Sequence, residues 1–194
     1  MFSKLGLSPA VYSPLARMGY DQPTPIQAKA IPVVLSGVDL LARAQTGTGK
    51  TAAFGLPIIE RLIARPTGAR SVAPRALVLV PTRELAVQVH RSLSTYGAPG
   101  RIRATAIFGG VGMGAQVQAL RNGTDIVVAT PGRLLDHVQR RSVDLSGWDP
   151  VREADVGFGV SRRGCVRLRC EQRRAARHRD RSVLVRRGEG VGGA

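Results

Sequence analysis

Short apolar runs alternate along this chain with longer stretches whose apolar residues recur at helical spacing. The runs cover residues 38–42, 76–80, 102–108 and 126–129, and each has the length of a strand. The run at 76–80 is apolar on both faces, which is typical of a parallel strand covered by helices on both sides. The repeated strand–helix order therefore predicts an α/β fold with three layers around a parallel sheet.

Cap residues and prolines indicate where the helices begin and end. Ser8 and Thr24 each precede a proline, which favours a helix start at both places. The first helix should run toward Gly19, with Pro14 as a conflict that shortens it, and Pro32 should bend the second. Further helices are predicted over residues 51–63, 83–96, 113–121 and 130–140.

The stretch between the first strand and its helix has the pattern of a phosphate-binding loop, with Ala44 in the first glycine position. Glycine lets the backbone approach an anion closely, and the helix that follows directs N–H groups toward it. Lys50 would reach the β- and γ-phosphates, and the Thr51 hydroxyl would hold Mg²⁺. The ordinary alternative is a turn rich in Gly and Thr with an isolated lysine, but the flanking strand and helix favour a nucleotide site. The candidate residues are Ala44, Gln45, Thr46, Gly47, Thr48, Gly49, Lys50 and Thr51.

The charge of the chain favours an anionic partner, with nucleic acid first. Its formal net charge is +16, and residues 151–194 alone hold 12 arginines against 5 acidic residues. We find no apolar run long enough to cross a membrane and no pattern of a signal peptide. Cys165 and Cys170 make a poor metal site, so we expect a cytoplasmic protein with two free thiols.

The order of motifs resembles the N-terminal RecA-like domain of a DEAD-box ATP-dependent RNA helicase, most of all the bacterial RhlE-type proteins, over about residues 2–146. Phe2 and the stretch Gly-Tyr-Asp-Gln-Pro-Thr-Pro-Ile-Gln at 19–27 resemble the Q motif of that family. Residues 44–51 resemble motif I, the stretch Pro-Thr-Arg-Glu-Leu-Ala at 81–86 resembles motif Ia, the glycine pair at 109–110 the GG motif, and Thr-Pro-Gly-Arg at 130–133 motif Ib.

This resemblance implies ATP and Mg²⁺ as cofactors and RNA, single-stranded or duplex, as the partner. Gln27 would read the adenine edge, while Phe2 and Tyr20 would line the adenine pocket. The other three motifs would grip the sugar–phosphate backbone, which agrees with their places at the carboxyl ends of strands. The implied RNA-binding residues are Pro81, Thr82, Arg83, Gly109, Gly110, Thr130, Pro131, Gly132 and Arg133.

Each motif also has an ordinary interpretation when it is taken alone. Pro-Thr-Arg-Glu is a capped helix start, Thr-Pro-Gly-Arg is a common turn before a helix, and Gln27 by itself carries little information. The ordered set is what favours the functional interpretation. We interpret His90 and His137 as structural or solvent-facing, because neither belongs to a partner pattern.

The resemblance stops after residue 146. The family has an apolar strand that ends in Asp-Glu-Ala-Asp, whereas this chain has Arg152, Glu153, Ala154 and Asp155 after a proline at position 150. In the family the first Asp holds Mg²⁺ through water and the Glu orients the attacking water, so Glu153 is a candidate catalytic residue beside Lys50 and Thr51. A cation at position 152 would repel the metal, by roughly 4 kcal/mol at a separation of about 4 Å and an effective dielectric of 20. The match of Glu-Ala-Asp at 153–155 to the family motif is explained equally well by coincidence.

The tail that follows shows neither a helical nor a strand period, and we expect it to be disordered. A basic RNA-binding tail is one explanation, and we prefer a shift of reading frame in a GC-rich gene. Resequencing across codons 140–160 tests this, because a continuous frame with no alternative frame encoding Asp-Glu-Ala-Asp excludes it. Loss of the strand beside the phosphate-loop strand should leave an incomplete sheet and a marginal or partly molten domain. A sharp, cooperative thermal transition would contradict that expectation.

We therefore expect a Q-motif region at 1–28, a partial RecA-like ATP-binding domain at 29–146 and a divergent basic tail at 147–194. The intact parent should unwind or remodel RNA at the expense of ATP. This chain, as a monomer without a second RecA-like domain, should bind nucleotide weakly and should not unwind RNA. The alternative is a non-catalytic fragment that binds nucleic acid through charge alone. A phosphate-loop enzyme for small molecules is disfavoured by the three backbone-gripping motifs.

Overall fold

The fold is seen in a computed structural model that describes residues 1–37, 40–45, 47–66, 73–145 and 184–187. Its helices are α1 (Pro9–Tyr12), α2 (Pro25–Leu35), α3 (Lys50–Ala64), α4 (Arg83–Gly97), α5 (Met113–Arg121) and α6 (Pro131–Gln139). Its strands are β1 (Leu40–Arg43), β2 (Ala76–Leu79), β3 (Ala104–Ile107), β4 (Ile126–Ala129) and β5 (Leu184–Arg187). Short 3₁₀ turns lie at Phe2–Leu5, Ala16–Met18 and Ala98–Gly100.

Three of the strands form a parallel sheet in the order β2-β4-β3. Ala76 of β2 and Ala104 of β3 both lie opposite Ile126 of β4, so the three strands start level with one another. Among the described residues, β2 pairs with β4 alone, and β1 pairs with β5 in a separate two-stranded sheet. The predicted parallel sheet is confirmed for β2, β3 and β4 and is incomplete among the described residues, whereas β1, predicted to belong to it, pairs with β5 instead.

The prediction of a tail without strands is wrong at β5. Residues 184–187 run antiparallel to β1, with Leu184 opposite Arg43 and Arg187 opposite Leu40. Backbone pairing with the edge of β1 gives this short segment a strand conformation that its own period did not indicate. The Arg-Glu-Ala-Asp string at 152–155, both cysteines and Thr46 lie outside the described residues.

Alternate side chains of the parallel strands enter two different apolar clusters. Val78, Ile126 and Val128 pack on one face of the sheet with residues of α2, α3 and α4. Leu77 and Val127 pack on the other face with Leu120 of α5 and Leu134 of α6, among others. Helices therefore cover both faces, which confirms the three layers and explains why these strands are apolar throughout.

Most of the predicted boundaries agree with the structure to within a few residues. The first helix ends early, at Tyr12, because Pro14 interrupts it, and a 3₁₀ turn then leads to Gly19 at φ 79°. By contrast α2 continues through Pro32 to Leu35. None of the helices in the described ranges is long and apolar enough to cross a membrane.

A single carboxylate ties together the starts of the three parallel strands. Asp125, just before β4, accepts hydrogen bonds on Oδ1 from Arg75 Nε (3.1 Å) and Nη2 (2.7 Å), and on Oδ2 from the Arg103 backbone N–H (2.9 Å). Arg75 also donates to the carbonyls of Leu62 and Arg65 at the end of α3. This cluster lies at the amino edge of the sheet, and the loops that follow the three strands lie at the opposite edge.

Candidate functional site

The loops that carry the predicted motifs leave the sheet at its carboxyl edge. Because β2, β3 and β4 are parallel and level, the segments after Leu79, Ile107 and Ala129 all emerge on the same side. Open α/β sheets bind their ligands at this edge. The segments that begin at Pro81, Gly109 and Thr130 are therefore neighbours in space, as the sequence predicted.

The lysine of the predicted phosphate loop is hydrogen-bonded to the backbone of the same loop. Lys50, the first residue of α3, donates from Nζ to the carbonyl oxygens of Ala44 (2.8 Å) and Gln45 (2.5 Å). The Thr48 hydroxyl donates to the Gln45 carbonyl (2.7 Å) from the other side of the loop. A phosphate that enters the loop must therefore compete with two carbonyl oxygens for the Lys50 ammonium group.

Helix α2 supports this loop through a capping box. The backbone N–H of Thr24 donates to Gln27 Oε1 (2.9 Å), and the Thr24 hydroxyl donates to the Thr48 carbonyl (2.8 Å). Gln27 is fully buried and donates from Nε2 to the Gly49 carbonyl (3.2 Å). Both polar atoms of the predicted adenine-reading amide thus have partners within the protein. Because an amide oxygen can accept two bonds and an amide nitrogen can donate two, an adenine contact does not by itself require either bond to break.

The backbone of the loop suits a polyanion. Gly47 and Gly49 lie in the left-handed region, at φ 81° and 84°, where glycine is favoured. A Cβ on Gly49 would lie 2.3 Å from Gln27 Nε2, whereas one on Gly47 would have no heavy atom within 4 Å. The loop is therefore packed on its α2 side and has free space at Gly47. With a lysine and a threonine at the start of α3, this donor set fits a nucleotide phosphate chain with its cation.

The two aromatic residues predicted for the adenine pocket pack with a third that the sequence did not single out. The Phe2 and Tyr20 rings lie edge to face with centroids 6.4 Å apart, and Tyr20 meets Tyr96 of α4 in the same way at 6.0 Å. The Tyr20 and Tyr96 hydroxyls share a hydrogen bond of 2.6 Å. Burial, together with this contact, raises the pKa of Tyr96. Phe2 is buried, so in this conformation the aromatic group serves to anchor the N-terminal segment.

Arg83 lies at the start of α4 and faces the glycine pair. A Cβ on Gly110, which has φ 83°, would lie 3.4 Å from Arg83 Nη1. Arg83 Nε donates to the exposed carboxylate of Glu84 (2.5 Å), and this contact lowers the pKa of Glu84. Exposed ion pairs of this kind contribute little, so a phosphate can readily replace Glu84 as the partner of Arg83.

Arg133 is directed inward, toward the loop that carries the glycine pair. Its Nη1 and Nη2 atoms both donate to the Val111 carbonyl, each at 3.1 Å, and the side chain is only 12% exposed. Its Nε atom is buried without a hydrogen-bond partner, 3.5 Å from the Asp136 carboxylate. Arg133 thus ties α6 to the loop after β3. Within the described residues the Thr130 hydroxyl does not cap α6, so the N–H groups at this helix start are open to a phosphate.

Behind these two loops lies a buried polar pair, Gln116 of α5 and His137 of α6, that the sequence did not indicate as functional. His137 is fully buried, so the structural interpretation of this residue is confirmed and the solvent-facing alternative is wrong. Burial, helped by the positive charges of Arg133 and Arg140 and opposed by Asp136, lowers the pKa of His137, which is therefore neutral at pH 7. A glutamine one turn before Leu120 on the inner face of α5 was the available signal for Gln116.

The family model for DEAD/DEAH box helicases matches residues 24–152. The chain belongs to the DEAD/DEAH box helicase family. It is 46% identical over 144 residues to the DEAD-box ATP-dependent RNA helicase CshA of Geobacillus kaustophilus and 43% identical over 150 residues to CshA of Bacillus subtilis. These matches cover 74% and 77% of this chain, which spans only 30% and 29% of the two curated relatives.

Solved structures confirm the RecA-like α/β fold of this helicase-family chain. The RNA helicase Prp28 from Chaetomium thermophilum, bound to ADP, is 42% identical with a TM-score of 0.68. The match covers 74% of this chain and 35% of that one. A hypothetical ATP-dependent RNA helicase from Sulfolobus tokodaii is 37% identical with a TM-score of 0.63, over 72% of this chain and 39% of that one.

Proposed function

We propose that this chain forms the ATP- and RNA-binding part of a DEAD-box ATP-dependent RNA helicase. The observation that carries the proposal is the grouping of three motifs at one edge of the sheet, where Arg83 faces Gly110 and Arg133 bonds to Val111. The phosphate-loop motif at 44–51 and the similarity of the fold to that of the ADP-bound helicase Prp28 support the proposed binding of nucleotide.

The nucleotide would bind with Mg²⁺ in the loop at 44–51. Lys50 would hold the β- and γ-phosphates, and Thr51 would hold the cation. Gln27 would select adenine, with Phe2 and Tyr20 nearby. When bound, ATP supplies the free energy of phosphoryl transfer to water. Glu153 would orient that water if the Glu-Ala-Asp string is genuine, although Arg152 stands where a carboxylate should hold the metal.

RNA would lie along the segments at 81–83, 109–110 and 130–133. These segments offer helix starts and one exposed guanidinium, which contact phosphates rather than base edges. Binding should therefore be independent of base sequence and should weaken with salt.

We further propose the division into a Q-motif region at 1–28, a partial RecA-like domain at 29–146 and a divergent tail at 147–194. The same proposal includes membership of the RhlE-type subfamily, a monomeric state and a shift of reading frame after residue 146. Unwinding of RNA would require a second RecA-like domain to complete the RNA cleft.

A second candidate function is charge-driven binding of nucleic acid without nucleotide chemistry, and the net charge of +16 favours it. Fluorescent ADP with Mg²⁺ separates the two proposals. Binding that unlabelled ATP displaces supports the helicase assignment. Binding of RNA without any binding of nucleotide would leave only the charge-driven function.

The Arg83→Gln substitution tests the RNA site specifically. Because Arg83 is one exposed phosphate contact, we expect RNA affinity to fall about threefold to tenfold and the salt slope of binding to decrease by about one. Fluorescence anisotropy with labelled oligouridine at several salt concentrations measures both quantities. Arg91→Gln, which removes an exposed arginine from the middle of α4, is the control. Equal losses in the two variants would mean that only total charge matters.

A further inference from the structure

Gln116 takes the place of a strand partner at the end of β3. Its Oε1 atom accepts from the Phe108 backbone N–H (3.2 Å), and its Nε2 atom donates to the Phe108 carbonyl (3.1 Å). Both backbone polar groups of the residue that precedes Gly109 and Gly110 are therefore held by one side chain, itself only 7% exposed. The direction in which the glycine pair leaves the sheet depends on this amide.

His137 holds the amide from the side of α6. Its Nδ1 atom lies 2.7 Å from Ser142 Oγ, and its Nε2 atom lies 3.4 Å from Gln116 Oε1. Because Gln116 Oε1 is an acceptor, a bond from His137 to Gln116 requires a neutral imidazole with its proton on Nε2. Nδ1 then accepts from the Ser142 hydroxyl, whose single proton is shared with the His137 backbone carbonyl at 3.1 Å. In this arrangement Gln116 Oε1 accepts two bonds, and Gln116 Nε2 donates one.

Together these contacts join two segments that are separate in sequence. The chain Phe108–Gln116–His137 connects the end of β3 to the last turn of α6, while the two bonds from Arg133 to Val111 connect the start of α6 to the same loop. The segment with the glycine pair and the helix start after Thr130 are thus held at two points. Among the described residues, neither point forms a hydrogen bond with the loop at 44–51.

We propose that Gln116, supported by His137, is a positioning residue for RNA binding. It fixes the glycine pair relative to the start of α6, so that both offer backbone N–H groups to successive phosphates of one strand. This inference rests on the proposed function, because it assumes that these two segments hold RNA. It adds two residues that act on RNA through the loop without touching it.

The test uses the full chain, fluorescein-labelled oligouridine and fluorescent ADP. The Gln116→Leu substitution removes the three hydrogen bonds that position the glycine pair and should raise the RNA dissociation constant about tenfold. The ADP dissociation constant should stay within a factor of about two, because the amide is remote from the loop at 44–51. Gln118→Leu is the matched control, since Gln118 lies two residues on along α5, is exposed and bonds only to Asn122 within the described residues.

Substitutions of His137 keep the proposal testable if Gln116→Leu fails to fold. His137→Gln retains an amide N–H donor near the place of Nε2 and should bind RNA nearly as well as the unchanged chain, while His137→Leu should lose affinity as Gln116→Leu does. Parallel losses of RNA and ADP affinity would indicate a merely structural role and overturn the proposal. Unchanged RNA affinity in both leucine variants would also overturn it. Failure of the unchanged chain to bind RNA at all would instead remove the proposed function itself.

Discussion

Replacement of Asp125 by alanine should lower the free energy of unfolding by about 3 kcal/mol, since it removes the carboxylate partner of the partly buried Arg75 guanidinium and leaves the Arg103 backbone N–H without a partner. Asp125 and Arg75 are 20% and 18% exposed, so their pair is shielded from water more than a surface ion pair is. For a domain of this size, the midpoint of thermal unfolding should fall by about 10 °C. The change should be measured by urea and thermal unfolding, followed by circular dichroism.

The control for this prediction is Asp136→Ala, which removes an exposed carboxylate on α6. Asp136 is 54% exposed and lies 3.5 Å from Arg133, so we expect a change within about 0.5 kcal/mol. Similar effects of the two substitutions would show that Asp125 does not tie the strand starts together. If the expected marginal stability of the domain holds, Asp125→Ala should be largely unfolded at 37 °C.

The sequence predicted the elements best where local rules act alone. The bounds of α5 and β4 agree with the structure to the residue, because Asn122 and Gly123 end one and Thr130 with Pro131 ends the other. Local rules do not by themselves explain why α2 continues through Pro32, where its buried residues pack against α3. Packing against a neighbouring helix therefore outweighed the cost of an interior proline.

The placement of the site at the carboxyl edge was also predictable, because it follows from parallel strands and the order of loops. The partners of individual side chains were not. Arg133 was predicted to contact RNA, yet its guanidinium bonds to the Val111 carbonyl. The bonds of Gln116 to Phe108 were not predicted. Such contacts join residues far apart in sequence, and the pattern of one helix does not reveal which loop its polar side chain will meet. The same limit applies to β5, whose strand conformation depends on the distant strand β1.

Lys50→Ala is expected to weaken nucleotide binding about a hundredfold, through loss of charge-assisted bonds to the phosphates. The expected loss of affinity is smaller than for a lysine without other hydrogen bonds, because the Lys50 ammonium group must first leave the carbonyl oxygens of Ala44 and Gln45. Titration with fluorescent ADP in the presence of Mg²⁺ measures the effect, and circular dichroism checks the fold. Lys29→Ala, an exposed lysine of α2, is the matched control and should retain affinity.

The same substitution separates the two proposed functions through its effect on RNA. Since Lys50 lies at the start of α3, after β1, and the segments proposed to bind RNA follow β2, β3 and β4, the helicase assignment predicts little change in RNA affinity in the absence of nucleotide. Charge-driven binding predicts that Lys50→Ala and Lys29→Ala weaken RNA binding equally and slightly. Unchanged ADP affinity in Lys50→Ala would exclude the loop at 44–51 as the nucleotide site, and the remaining RNA binding would then have to be explained by charge alone.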